Sequence, residues 1–162
     1  TAAKLNYTPK LIVAQNAGYT DPKFIKTMGS KAEGVITRSP FNTDLAKQIP
    51  LIGKVNELFK KHSGGRDLSD VPARAFTGFM VLAQAINYAR STDPKLIQMA
   101  LQGLDISPDT LIVPYKGVKF GADGQNTKTR GILMQVQNGK YCTVYPFSLA
   151  ACKLKYPMPA IK

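Results

Sequence analysis

A chain with one histidine and two cysteines has few ways to do covalent or metal chemistry. His62 stands at the end of a helical pattern, beside Ser63 and Gly64. Histidine suits that place, because its donors and charge answer the unpaired carbonyls of a helix C-terminus. A Ser-His-Asp arrangement would depend on this single residue. No GxSxG, no HExxH and no closely spaced carboxylate pair accompanies it. Cys142 and Cys152 lack CxxC spacing, so a zinc site has almost no ligands to draw on. They fit either a disulfide in an oxidising compartment or two buried thiols. No cofactor and no metal is expected.

The stretch FGADGQNTKTRGILMQVQNGKYCTVYPF, residues 120–147, holds four glycines and one acidic residue, Asp123. A calcium loop needs acidic or amide ligands at alternating positions and a closing Glu. Only Asp123 and Asn126 are available, and no Glu follows. A phosphate loop needs G-x-x-x-x-G-K-[ST] opening a helix, and this segment opens a strand. DGQN therefore reads as a turn with Asp123-Gly124 at its tip.

The remaining chemistry is that of gripping a small molecule. In open α/β sheets the loops after strand ends form the crevice where ligands bind. Gln15, Asn16 and Ala17 follow one predicted strand, and Arg38 closes a second. Their polar groups suit orientation of a small polar solute. Arg74 and Phe76, near the start of the longest predicted helix, supply a cation and an aromatic wall. Core packing for Phe76 and simple surface exposure for Arg74 are the competing readings.

These residues need elements to hold them. LIVAQ (11–15) reads as a buried strand, Asp21-Pro22 caps a helix that stops at Gly29, and EGVITR (33–38) reads as a second strand. Strand, helix and strand within about 30 residues have the size of a βαβ unit. SPFNTD reads as a crossing segment. A helix follows from Pro50 to the His62-Ser63-Gly64-Gly65 stop. The longest helix spans 72–90 and is apolar over much of its circumference, which predicts that it is largely buried. Ser91-Thr92-Asp93-Pro94 caps another helix, ending by Gly103, and 118–120 reads as a short strand. Asn138-Gly139 between two alternating runs is a strong hairpin signal, because a type I′ turn needs positive φ at both positions. The first residues, TAAKLNYTPK, read as a helix end and a turn.

The composition bounds the class. With 44% hydrophobic and 20% charged residues, a packed core is expected rather than disorder. The net charge is +12. The lysines are scattered, with Lys60–Lys61 the one adjacent lysine pair, so the excess reads as a solvated basic surface that attracts anionic solutes rather than a nucleic-acid stripe. A basic nucleic-acid-binding domain remains the alternative from another class. No apolar run approaches the ~18 residues of a membrane span, and no signal-type segment opens the chain.

Three blocks, taken in order, resemble a known family. YTPKLIVAQNAGYTDPKFIKTMGSKAEGVITRSPF, ARAFTGFMVLAQAINYARSTDPKLIQMAL and GVKFGADGQNTKTRGILMQVQNGKYCTVYP are similar to the C-terminal part of type I periplasmic solute-binding proteins of ABC transporters, in the branched-chain amino acid (Leu/Ile/Val) class. The resemblance implies an α/β fold of two three-layer αβα lobes, of which this chain carries an incomplete, C-terminal portion. Residues 1–39 would belong to the second lobe and 40–132 to the first. Residues 133–162 would hold a hinge crossing and the return to the second lobe. The implied function is non-enzymatic: capture of a small polar solute in the periplasm and its delivery to permease subunits. A ligand-sensing regulator on the same fold is the runner-up. The implied partners are the solute, the permease and an N-terminal half of the same protein, with no nucleic acid. The family's acidic residue that grips a ligand ammonium falls near Gln15–Ala17, where this chain has none. That departure favours a small carboxylate, amide or aromatic acid beside branched-chain amino acids, with Arg38 or Arg74 as carboxylate partner.

Overall fold

In the computed structural model of the chain, which describes residues 3–5 and 7–160, the two predicted strands of the βαβ unit pair side by side. β1 (Val13–Ala14) runs parallel to β2 (Ile36–Ser39), in the register Val13 to Ile36. The strand expected over LIVAQ is thus only two residues long. α1 (Pro22–Met28) makes the crossover between them. Asp21 caps it by accepting from the Lys23 amide at 2.8 Å, and Pro22 opens it, where a missing N–H costs nothing. Gly29 closes it at φ 56°. The helix end expected in TAAKLNYTPK falls partly on residues 1, 2 and 6, outside the described residues. Ala3–Leu5 forms one 3-10 turn.

Beyond β2 the chain crosses to a helical layer. α2 (Pro50–His62) ends as the Gly pair predicted: Gly64 takes φ 70°, and the Gly65 amide returns to the Lys60 carbonyl at 3.0 Å. His62 lies in that last turn, the capping place expected for it. α3 (Asp70–Ala89) and α4 (Pro94–Gly103) pack on each other. Asn56 fastens the connection between α2 and α3, accepting from the Leu68 amide and donating to Asp67, both at 2.7 Å.

The chain then returns to the sheet as a hairpin. β3 (Ile132–Gln137) pairs antiparallel with β2, and β4 (Lys140–Tyr145) with β3, giving the mixed sheet order β1-β2-β3-β4. Asn138 and Gly139 take φ 54° and 72°, as a type I′ turn requires. The strand expected at 118–120 is reduced to two bridging pairs, Ile106 with Val118 and Phe120 with Asn126. Between them DGQN is a turn: the Gly124 amide donates to the Gly121 carbonyl, and the Asp123 carboxylate accepts from the Gln125 amide at 3.0 Å.

The main core joins the helical layer to β3 through Phe41, Leu45, Ile52, Ala73, Val81, Ile112, Val113, Ile132 and Met134. A smaller core lies at the βαβ unit, where Ala14 and Val35 pack with Met158, and Ile12 and Phe24 against them. Gln135 and Gln137 share the other face of β3 and are buried. They hold a strap of chain, accepting from the Lys155 amide and donating to the Lys153 and Lys155 carbonyls at 2.8–2.9 Å. A disulfide joins Cys142 to Cys152 with their Cα atoms 5.9 Å apart, which resolves the choice between bridge and free thiols.

The expected burial of α3 requires correction. Ala73, Thr77, Val81 and Ala85 form its buried stripe. Phe76, Phe79, Met80, Leu82 and Ile86 are exposed, Phe79 by 69%. The periodicity recorded an apolar helix correctly. Burial also needs a second layer, and the described residues supply a layer to only one face. Among the described residues no helix is long and apolar enough to cross a membrane.

Candidate functional site

Parallel pairing places the ends of β1 and β2 at the same border of the sheet, so the loops that follow them are neighbours. There they line a crevice of about 410 Å³ with Gln15, Asn16, Ala17, Arg38, Pro40, Asp70, Arg74 and Tyr115. The volume is that of a small-molecule site. Five of the six residues singled out in the sequence therefore come together: Gln15, Asn16, Ala17, Arg38 and Arg74. Phe76 does not line the crevice. It lies two positions beyond Arg74 on α3, which turns it about 200° around the helix axis, and it is 37% exposed.

Local structure fixes each member. Asn16 stands in extended backbone before a 3-10 turn, Ala17–Tyr19, and its side-chain oxygen accepts from the Gly18 amide at 3.0 Å. Arg38 extends from β2 along Gly131, where an added Cβ would fall 3.6 Å from its Nη1. No described carboxylate lies within ion-pair distance of Arg38. Arg74 is held differently. Its Nε donates to Asp70 Oδ1 at 2.6 Å, one helical turn away. The Thr20 hydroxyl lies 3.1 Å from the other oxygen, Oδ2. Asp70 is buried, and the guanidinium of Arg74 is the charged donor that supports it. Burial raises the Tyr115 phenol above its ordinary pKa, opposed by the positive charge of Arg74, so the ring presents a neutral hydroxyl.

Asp70 and Tyr115 were missed by the reading of the sequence. Asp70 carried a usable signal, because Asp and Arg four apart in a helix face each other. Tyr115 carried none: it sits in the irregular chain after α4, and only the fold brings it to the crevice. Arg74 also stands further into its helix than expected, since α3 begins at Asp70. The groove thus receives the side chain of Arg74 from the second turn of α3. Arg74 and Tyr115 wall a second, apolar cavity of about 380 Å³ with Val81, Leu82, Leu101, Val113, Val118 and Phe120. The arrangement has a polar compartment and an apolar one sharing two side chains. It offers no nucleophile with a base beside it, and among the described residues no group of acidic, His or Cys side chains is placed to hold a metal.

The chain is similar to curated proteins and to solved structures of one kind. It is 29% identical over 160 residues to "Leu/Ile/Val-binding protein homolog 8" of Brucella abortus (strain 2308), covering 96% of this chain and 39% of that protein. It is 27% identical to "Leu/Ile/Val-binding protein homolog 7" of the same strain, over 93% of this chain and 38% of that protein. Among solved structures, a leucine-binding protein from Thermotoga maritima superposes with a TM-score of 0.70 at 22% identity, over 88% of this chain and 38% of its own. The chain has the fold of the type I periplasmic binding proteins. An extracellular ligand-binding receptor from Rhodopseudomonas palustris HaA2 has the same fold, with a TM-score of 0.65 at 24% identity, over 88% of this chain and 42% of that one. No protein-family model matches the chain. The chain spans about two fifths of the length of the curated relatives it matches. Those relatives are binding proteins by name.

Proposed function

We propose that the chain is part of the substrate-binding component of an ABC transporter, which captures a small polar solute between two α/β lobes and delivers it to membrane permease subunits. The observation that carries this reading is the convergence of Gln15, Asn16, Ala17, Arg38 and Arg74 on one crevice at the ends of β1 and β2. The relatives named for binding Leu, Ile and Val support the class of solute: a branched-chain amino acid or a related carboxylate, amide or aromatic acid. So does the similar fold of an ABC transporter substrate-binding protein from Desulfitobacterium hafniense solved in complex with Leu, at a TM-score of 0.59 and 18% identity.

In this reading residues 1–39 and 133–162 serve one lobe and 40–132 the other. Gly131–Val136 lies in a hinge about which the lobes close on the solute. The N-terminal half of the same protein supplies the facing wall of the cleft. The work is done outside the cytoplasm, where the Cys142–Cys152 bridge is stable. Calorimetry on the protein expressed from its complete reading frame tests the proposal, with leucine, valine, benzoate and 4-methylpentanoate as ligands. Saturable binding of at least one, weakened by Arg38→Gln, is expected. Failure of all four to bind overturns it. The 162-residue chain alone presents one wall of the cleft and is expected to bind the same ligands weakly or not at all.

A further inference from the structure

The charges of the crevice do not count equally. It holds two guanidinium groups and one carboxylate. Asp70 is already committed through Oδ1, which takes the Arg74 Nε–H at 2.6 Å, while Oδ2 lies 3.1 Å from a Thr20 hydroxyl that it shares with the Ala17 carbonyl at 3.0 Å. Its side chain is only 8% exposed. A ligand ammonium reaching Asp70 would have to displace Arg74 and leave a guanidinium without its counter-ion, a costly exchange in a partly buried place. Gln15, Asn16 and Ala17, which also line the crevice, bring no negative charge. Arg38 is the one crevice cation with no carboxylate partner among the described residues, and its planar fork matches a carboxylate bidentately. Beyond Arg74 and Tyr115 lies the apolar cavity, lined by Val81, Leu82, Leu101, Val113, Val118 and Phe120.

We infer that the crevice selects a small monocarboxylate with an apolar body and no ammonium group, anchored on Arg38, with Asp70 setting that preference by neutralising Arg74. The inference rests on the reading of the crevice as a solute site and narrows it. Asp70 acts as a specificity-determining positioning residue: it holds Arg74 against the wall and cancels its charge. A solute carrying one negative charge then meets one unpaired positive charge. A zwitterion brings a positive group for which this wall of the crevice keeps no free acceptor of charge.

The experiment compares 4-methylpentanoate with leucine, which has the same carbon skeleton plus an ammonium group, on the protein expressed from its complete reading frame. Calorimetry is expected to show 4-methylpentanoate binding at least about tenfold more tightly, a free-energy difference of about 1.4 kcal/mol. Arg38→Gln, at an exposed position, is expected to weaken 4-methylpentanoate about tenfold or more. Asp70→Asn is expected to narrow its advantage over 3-methylglutarate, a dicarboxylate, because a second uncompensated guanidinium then becomes available. Leucine binding as tightly as 4-methylpentanoate, or indifference of the affinity to Arg38→Gln, overturns the inference while leaving a solute-binding protein standing. Binding of none of these ligands, nor of valine or benzoate, overturns both.

Discussion

Gly34 and Met158 touch so closely that a methyl group built on Gly34 would lie 2.6 Å from the Met158 Cβ and 2.9 Å from the ring of Pro159. Gly34 also has φ 84°, a region that side chains rarely adopt. This contact seats the terminal strap on the small core of Ala14 and Val35. Gly34→Ala adds both a clash with a backbone-anchored atom and dihedral strain. It is expected to destabilise the chain by about 2–4 kcal/mol in a denaturant titration. Gly29→Ala, where the same added atom meets nothing within 4 Å, is expected to cost about 1 kcal/mol and separates strain from overlap.

Tyr141 provides a test by pH. Its hydroxyl, on β4, donates toward the carbonyls of Tyr19 at 2.6 Å and Asp21 at 3.1 Å, which ties the hairpin to the loop before α1. Burial, assisted by the negative charge of Asp21, pushes its pKa up to about 12 from the ordinary 10. A group whose folded-state pKa is raised contributes stability that is whole below the unfolded pKa and lost as pH rises through the folded one. Stability is therefore expected to decline between about pH 10 and pH 12. Tyr141→Phe should lower stability at neutral pH by about 1 kcal/mol and flatten that alkaline decline. Thermal melts of both proteins from pH 8 to about pH 11 would show it.

The Cys142–Cys152 bridge closes a loop of ten residues' separation. Loop-closure entropy for that length corresponds to about 2.7 kcal/mol. Cys142→Ser combined with Cys152→Ser is expected to lose about that amount, as is the unaltered protein under reductant. Equal denaturation midpoints with and without reductant would contradict the expectation.

Local chemistry made much of this legible from residues alone. Asp21-Pro22 and Asp93-Pro94 are caps because a short acceptor and a preset φ suit the first turn of a helix wherever they occur. Asn138-Gly139 is a turn for equally local reasons. The crevice was legible as far as it follows from strand ends, which is why Gln15, Asn16, Ala17 and Arg38 meet. Phe76 shows where this reasoning stops. Its nearness to Arg74 along the chain says nothing about which side of α3 each occupies. Asp70 shows the converse, since a carboxylate that the sequence reading passed over is the buried partner of Arg74. The weak strand at 118–120 was overread because apolar residues there serve the main core through Val118 without a full ladder beside them.

Thr143 has one further consequence. Its amide and hydroxyl both donate to Asp44 at 2.7 Å, and its carbonyl accepts from the amides of Ala151 and Cys152. These are the groups that β4 turns away from β3, and all of them are spent within the chain. Another strand approaching that border would find the middle of the ladder already taken. β1, at the opposite border, is two residues long with Val13 64% exposed. A sheet that grows by adding strands can therefore grow here in one direction only, because Asp44 and the amides of Ala151 and Cys152 together close its far edge.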